Sequence, residues 1–293
     1  MNSILKTIFV ASTFFLFAFS CSETSADSDT NNDNGQNEEP APNGEKEWQL
    51  VWADEFETEE LDADKWSFQY GTGRDEGLTG WGNNELQYYT DREENIYIED
   101  DMLHIVAREE NFEGMNYTSA RIRSIDKGDW QYGRFEIRAK LPEGQGIWPA
   151  IWMLPTNEVF GIWPNSGEID IMELVGHEPE TIHGTVHYGF NNENQYDHQF
   201  TGDSYTLEEG KFSDGFHVFS IEWERNQIKW FMDGDHFFTV TQSDLSPYIY
   251  PFNYEFHMLI NLAVGGNWPG NPDDTTEFPQ KMIVDYVRVY QFK

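Results

Sequence analysis

The feature that most limits the fold is a two-residue alternation that recurs along the chain. Phe135, Ile137 and Ala139 alternate with Glu136, Arg138 and Lys140 within residues 133–141. Successive side chains of a strand point to opposite faces, so this pattern buries one face and wets the other. Further short strand-like segments lie at residues 95–98, 102–108, 183–188, 217–224, 227–232 and 281–291. Asp233-Gly234 sits between the aromatic runs Trp230-Phe231-Met232 and His236-Phe237-Phe238, which predicts a tight hairpin. No long stretch has helical periodicity and no segment repeats. The expectation is an all-β domain built as a two-sheet sandwich or a barrel.

That domain does not begin at Met1. Residues 1–20 carry Lys6, an apolar run from Ile8 to Phe19, and small residues, the layout of a secretory signal peptide. The run is too short to span a bilayer. Cys21, the only cysteine of the chain, follows directly, so no internal disulfide can form. The sequence around it resembles the lipobox of bacterial lipoproteins, with Ala18 where leucine is usual; plain cleavage nearby is the alternative. Residues 21–46 hold no aromatic or branched aliphatic side chain and are expected to be a disordered acidic linker. The expected product is exported, either as a cell-surface or outer-membrane lipoprotein or as a secreted protein.

The formal charge is −35, and only seven acidic residues precede Lys46, so the acidity belongs to residues 47–293. Nucleic acid is excluded as a partner, and a membrane enters only through a lipid on Cys21. The same charge disfavours strongly anionic glycans.

Chemistry concentrates in Glu168-Ile169-Asp170-Ile171-Met172-Glu173. On a strand, Glu168 and Asp170 share a face, whereas Glu173, five places on, falls on the opposite one. An unpaired carboxylate in a core costs several kcal/mol. One extra residue in a β-bulge near Ile171-Met172 returns Glu173 to the face of Glu168. The two glutamates then stand roughly 13 Å apart along the backbone. Leaning inward, they can reach the ~5–5.5 Å separation of a retaining glycosidase, with one carboxylate as nucleophile and one carboxyl as acid. Asp170 between them can hydrogen-bond the nucleophile. Taken alone, the hexapeptide better suits an amphipathic strand with three solvated acids, or a stray helix-like fragment.

Trp148 and Trp152 share a strand face just upstream, and Trp163 follows. Indoles either fill cores or offer a platform to the apolar face of a pyranose. His183 and His187 would lie about 13 Å apart on an extended strand, too far to share a zinc ion.

The segments Trp81–Gln87, Tyr132–Glu136, Trp148–Pro155, 167–173, Asn261–Gly270 and Asp285–Tyr290 together resemble glycoside hydrolase family 16 over residues 47–293, most nearly its bacterial laminarinase branch. The six-residue acid motif, with Met172 as the additional residue, is similar to the laminarinase, agarase and carrageenase branches. The resemblance implies a concanavalin A-like β-jelly-roll with an open concave cleft. It implies Glu168 as nucleophile, Asp170 as its helper and Glu173 as acid/base. Trp163 with Trp148 or Trp152 would line the glycone side, Asn83 and Arg121 would bond sugar hydroxyls, His187 would lie beside the acids, and Trp268 would sit on a cleft loop. A structural calcium on the convex face, held by Asp285 and the Asp54-Glu55 region including Glu55, is a further expectation; none is needed for catalysis. The implied activity is endo-acting, retaining hydrolysis of β-1,3-glucan by a monomer, with mixed-linkage β-1,3-1,4-glucan as a second substrate. A galactan-cleaving relative and a non-catalytic glucan-binding protein are the alternatives.

Overall fold

The structure is a computed structural model that describes residues 47–192 and 195–293. The signal segment 1–20, Cys21 and the remainder of the linker to residue 46 lie outside the described residues. Two sheets make up the domain. Eight strands form the first, in the order Gln195–Thr206, Thr181–Asn192, Glu168–Glu173, Ile147–Pro155, Phe256–Val264, Arg121–Arg123 and Ser67–Phe68, with Asp129–Trp130 pairing off Phe256–Val264. The second runs Asp235–Thr241, Gln227–Met232, His217–Glu224, Gly133–Lys140, Gln280–Phe292, Met102–Phe112, Met115–Ser119 and Gln87–Tyr89. Trp48–Asp54 joins it on Gln280–Phe292, and Ile96–Glu99 on Met102–Phe112. Among the described residues the helices are two short 3₁₀ turns, Thr79–Gly82 and Gln242–Leu245.

The alternation read from residues 133–141 is what the strand shows. Phe135, Ile137 and Ala139 are fully buried, while Glu136, Arg138 and Lys140 lie on the wetter face. The Asp233-Gly234 hairpin is also present, joining Met232 to Asp235, with φ of 48° and 88°. Positive φ at both central residues gives the turn the twist of its strands. The sheets pack face to face through one core that includes Phe135, Ile137, Ile169, Met172, Trp223, Trp230 and Val287. Burying each large side chain contributes roughly 1.5–3 kcal/mol. Phe256–Val264 is buried at all nine positions, as a strand in mid-sheet should be when both faces are covered.

Candidate active site

The acid segment occupies one strand, Glu168–Glu173, between Ile147–Pro155 and Thr181–Asn192. Glu168, Asp170 and Glu173 pair with His187, Thr185 and His183 on one side. From Asp170 to Glu173 the strand advances three residues while its partner advances two, Thr185 to His183, so one residue is extra. The register to Ile147–Pro155 slips at the same place, between Ile151 and Trp152. Ile171 and Met172, 2% and 0% exposed, both enter the core, and Glu173 returns to the face of Glu168. A bulge leaves a ladder group unpaired. Here the Trp230 indole, rising from the opposite sheet, donates to the Asp170 carbonyl at 2.8 Å. Room for that ring depends on Gly184, because a Cβ there would lie 2.5 Å from it.

Each glutamate has its own indole donor. Trp163 Nε1 donates to Glu168 Oε2 at 2.8 Å, and Trp148 Nε1 to Glu173 Oε1 at 3.1 Å. His187 Nε2 lies 3.1 Å from Asp170 Oδ2 and 4.0 Å from Glu168 Oε1. Burial, reinforced by the Asp170 charge, pushes the Glu168 carboxyl from 4.5 up to about 8. Burial likewise drives Asp170 up to about 8. Glu173 is raised well above its ordinary value by burial and then by Asp170. Three acids in one buried row repel, so the row retains protons near neutral pH. The counterweights are unequal. Glu168 is eased by His187, the Trp163 hydrogen bond and Arg121, whereas only His187 and the Trp148 hydrogen bond ease Glu173. Charge therefore settles more readily on Glu168 and the proton on Glu173. The pair is one ionisable carboxylate and one retained acid, the combination that glycoside hydrolysis requires.

The other expected residues converge on the same sheet, in roles the contacts refine. Trp152 Nε1 donates to Asn261 Oδ1 at 2.7 Å. The Arg121 guanidinium lies between Trp81 and Trp152, 4.4 and 4.7 Å from their rings, with Nε donating to Gln69 Oε1 at 2.6 Å. Buried in this way, it spaces two indoles and lends charge to Glu168. Asn83 Nδ2 donates to Glu85 Oε1 at 3.3 Å. Trp268 stands 43% exposed, edge-on to Trp148 at 5.7 Å and to His183 at 5.0 Å, which puts it at the Glu173 end. Its loop is latched by Asn267 N donating to Asn83 O at 2.8 Å and by Asn84 Nδ2 to Asn267 Oδ1 at 2.7 Å. His183 and His187 pair with opposite ends of the acid row, Glu173 and Glu168, and do not form a metal pair.

Two groups escaped the sequence reading. His198 shares a hydrogen with His187, Nε2 to Nδ1 at 2.8 Å, and its ring lies 4.6 Å from Trp163. As a lone histidine in a polar stretch it carried no local signal. Glu85 is buried and gathers Asn83, Gln87 and Tyr89, and Tyr89 in turn accepts from Asn261. It sat unremarked inside the Trp81–Gln87 block.

The acids expected near a structural calcium have protein partners in this structure. Asp285 pairs with Arg138, and Glu55 grips Arg288 through both oxygens at 2.8 Å. Neighbouring Asp54 is buried against Trp66 Nε1, Lys65 and the Phe56 amide.

Residues 80–288 match the profile of the glycosyl hydrolases family 16. The "Beta-glucanase" of Rhodothermus marinus is 44% identical over 258 residues, covering 84% of this chain and 86% of that protein. The laminarinase catalytic domain of Thermotoga maritima superposes with a TM-score of 0.77 at 44% identity, covering 84% of this chain and 99% of that one. The endo-β-1,3-glucanase of Pyrococcus furiosus gives 0.78 at 47% identity, covering 85% and 96%. The acid row and the indoles that serve it fall within residues 80–288, and the chain belongs to glycosyl hydrolase family 16.

Proposed function

We propose that the protein is an endo-acting, retaining β-1,3-glucanase of laminarin type that also accepts mixed-linkage β-1,3-1,4-glucan. The observation that carries the reading is the bulged strand with two glutamates on one face, each under its own indole donor and unequally eased in charge. In the first step the Glu168 carboxylate attacks the anomeric carbon. The glycosidic C–O bond breaks, and Glu173 gives its proton to the departing oxygen. In the second, Glu173 takes a proton from water as that water attacks the anomeric carbon, breaking the glycosyl–Glu168 ester and restoring both groups. Asp170, with His187 beside it, balances charge on the nucleophile. Trp163 serves the Glu168 end as a sugar platform, with Trp148 and Trp268 at the Glu173 end.

No cofactor enters either step. The enzyme is read as a monomer, exported by residues 1–20 and held at the cell surface by a lipid on Cys21. The test is reducing-sugar release from laminarin, lichenan and agarose, with the anomer first released followed by NMR. Laminarin should be cleaved fastest with the β-anomer appearing first, and Glu168→Ser should abolish it. A wild-type protein inert on every β-glucan refutes the reading; preference for agarose would make it a galactan-cleaving enzyme.

A further inference from the structure

A cavity of about 480 Å³ lies beyond the acid row, lined by Gln131, Tyr132, Phe160, Arg225, Tyr250, Asn253 and Tyr254. Four of these seven carry aromatic rings. Tyr254 is 40% exposed and meets Phe160 at 5.2 Å in a T-shaped contact. The polar wall is firmly placed. Tyr132 Oη donates to Asn253 Oδ1 at 3.2 Å, Asn253 Nδ2 to Asn226 Oδ1 at 2.7 Å, and Gln131 Nε2 to the Asn253 carbonyl.

Two groups remain unused. Tyr250 is 5% exposed, and its hydroxyl is buried without a hydrogen-bond partner among the described residues. Leaving a buried hydroxyl unpaired is costly, and Tyr250 is among the residues that line this cavity. Arg225 is exposed and makes no ion pair among the described residues, in a chain of net charge −35 with acids in large excess. A guanidinium offers five donors in a fixed fork.

Phe160, which walls the cavity, and Trp163, which holds Glu168, sit three residues apart on one loop. That loop is pinned by Asn165 Nδ2 donating to the carbonyls of Phe160 and Asn191 at 3.0 and 3.2 Å. The cavity therefore neighbours the Trp163 end of the site. Its volume lies in the range of small-ligand sites.

We propose that this cavity is a second carbohydrate-binding site, taking a glucose unit of the same polysaccharide outside the catalytic row, with Tyr254 as the stacking platform, Arg225 as the hydroxyl partner and Tyr250 in the wall behind them. The inference rests on the glucanase reading for the identity of the sugar. A pyranose matches the chemistry, having apolar C–H faces for a ring and a rim of hydroxyls for the donors. A polyanion matches Arg225 alone and meets the repulsion of the whole acidic surface.

The test uses full-length protein carrying Glu168→Ser, so that glucan is bound and not cut. Affinity for laminarin, read by retardation in laminarin-containing gels, is compared with and without Tyr254→Ala and Arg225→Ala. The pair should weaken retention about three- to tenfold, the effect of losing one stacked ring and its polar partners. In the otherwise wild-type enzyme, the same two changes should leave kcat/KM on a short β-1,3-oligosaccharide within about twofold while raising KM on long laminarin. That activity also shows that the variants fold. Unchanged retention in variants still active on the oligosaccharide overturns the second site, as does retention of sulfated galactan in place of laminarin. Absence of wild-type hydrolysis of any β-glucan would instead strike the glucanase reading.

Discussion

Replacing Glu168 with Gln should stabilise the protein, and more so the higher the pH. Burial lifts the Glu168 carboxyl from 4.5 to about 8, with the Asp170 charge adding to the shift. A carboxyl raised in this way binds its proton more tightly in the folded state than in the unfolded chain. Its contribution is intact below about pH 4.5 and drains away as pH climbs to about 8. At about 1.4 kcal/mol per pH unit, the span from 4.5 to about 8 is worth about 5 kcal/mol as an upper bound. Asp170 and Glu173 share the repulsion, so about 2–4 kcal/mol is the working figure. The glutamine keeps the shape and still accepts from Trp163, but never ionises. For a domain of this size, about 5–10 °C of additional Tm is expected near pH 9 and almost none near pH 4. Calorimetry or thermal fluorescence at several pH values reads this directly. A gap in Tm between Glu168→Gln and wild type that stays constant with pH, or that closes as pH rises, would refute the claim that the row carries buried, mutually repelling acids.

Three other perturbations probe separate links. Trp163→Phe keeps a ring but removes the donor to Glu168 Oε2; the acid limb of kcat/KM should move up by about one pH unit, because a hydrogen bond to a charged group is worth ~1.5–3 kcal/mol and water restores part of it. Deleting Met172 removes the residue that makes the bulge; Glu173 would turn into the core, costing several kcal/mol, with activity lost and Tm lowered together. Because Asp285 and Glu55 are held by Arg138 and Arg288, a chelator should leave Tm within about 1 °C, and a larger fall would show that a bound calcium contributes to stability.

Much of the site could be read along the chain because its spacing is a strand property. Period-two geometry places Glu168 with Asp170 and demands the irregularity that readmits Glu173, and the paired strands show that irregularity at Ile171-Met172. The hairpin at Asp233-Gly234 was legible for the same reason: its turn chemistry is local. What adjoins the site from distant segments was not legible. His198, Glu85 and the clamp of Trp81 and Trp152 on Arg121 arise where separate strands are brought side by side.

The acid segment shows where the division falls. Residue order alone, with two glutamates five apart and one residue too many for alternation, dictated a bulge and a shared face, because side-chain direction along a strand follows from the backbone. Which glutamate holds its proton was decided by the fold. Trp163, His187 and Arg121 ease charge on Glu168, whereas Asp170 and Glu168 both press on Glu173. The arginine partners of Asp285 and Glu55, likewise, come from strands far off in the chain. Desolvation and Coulomb forces act through space between residues far apart in the chain, so only the packed sheets could settle them.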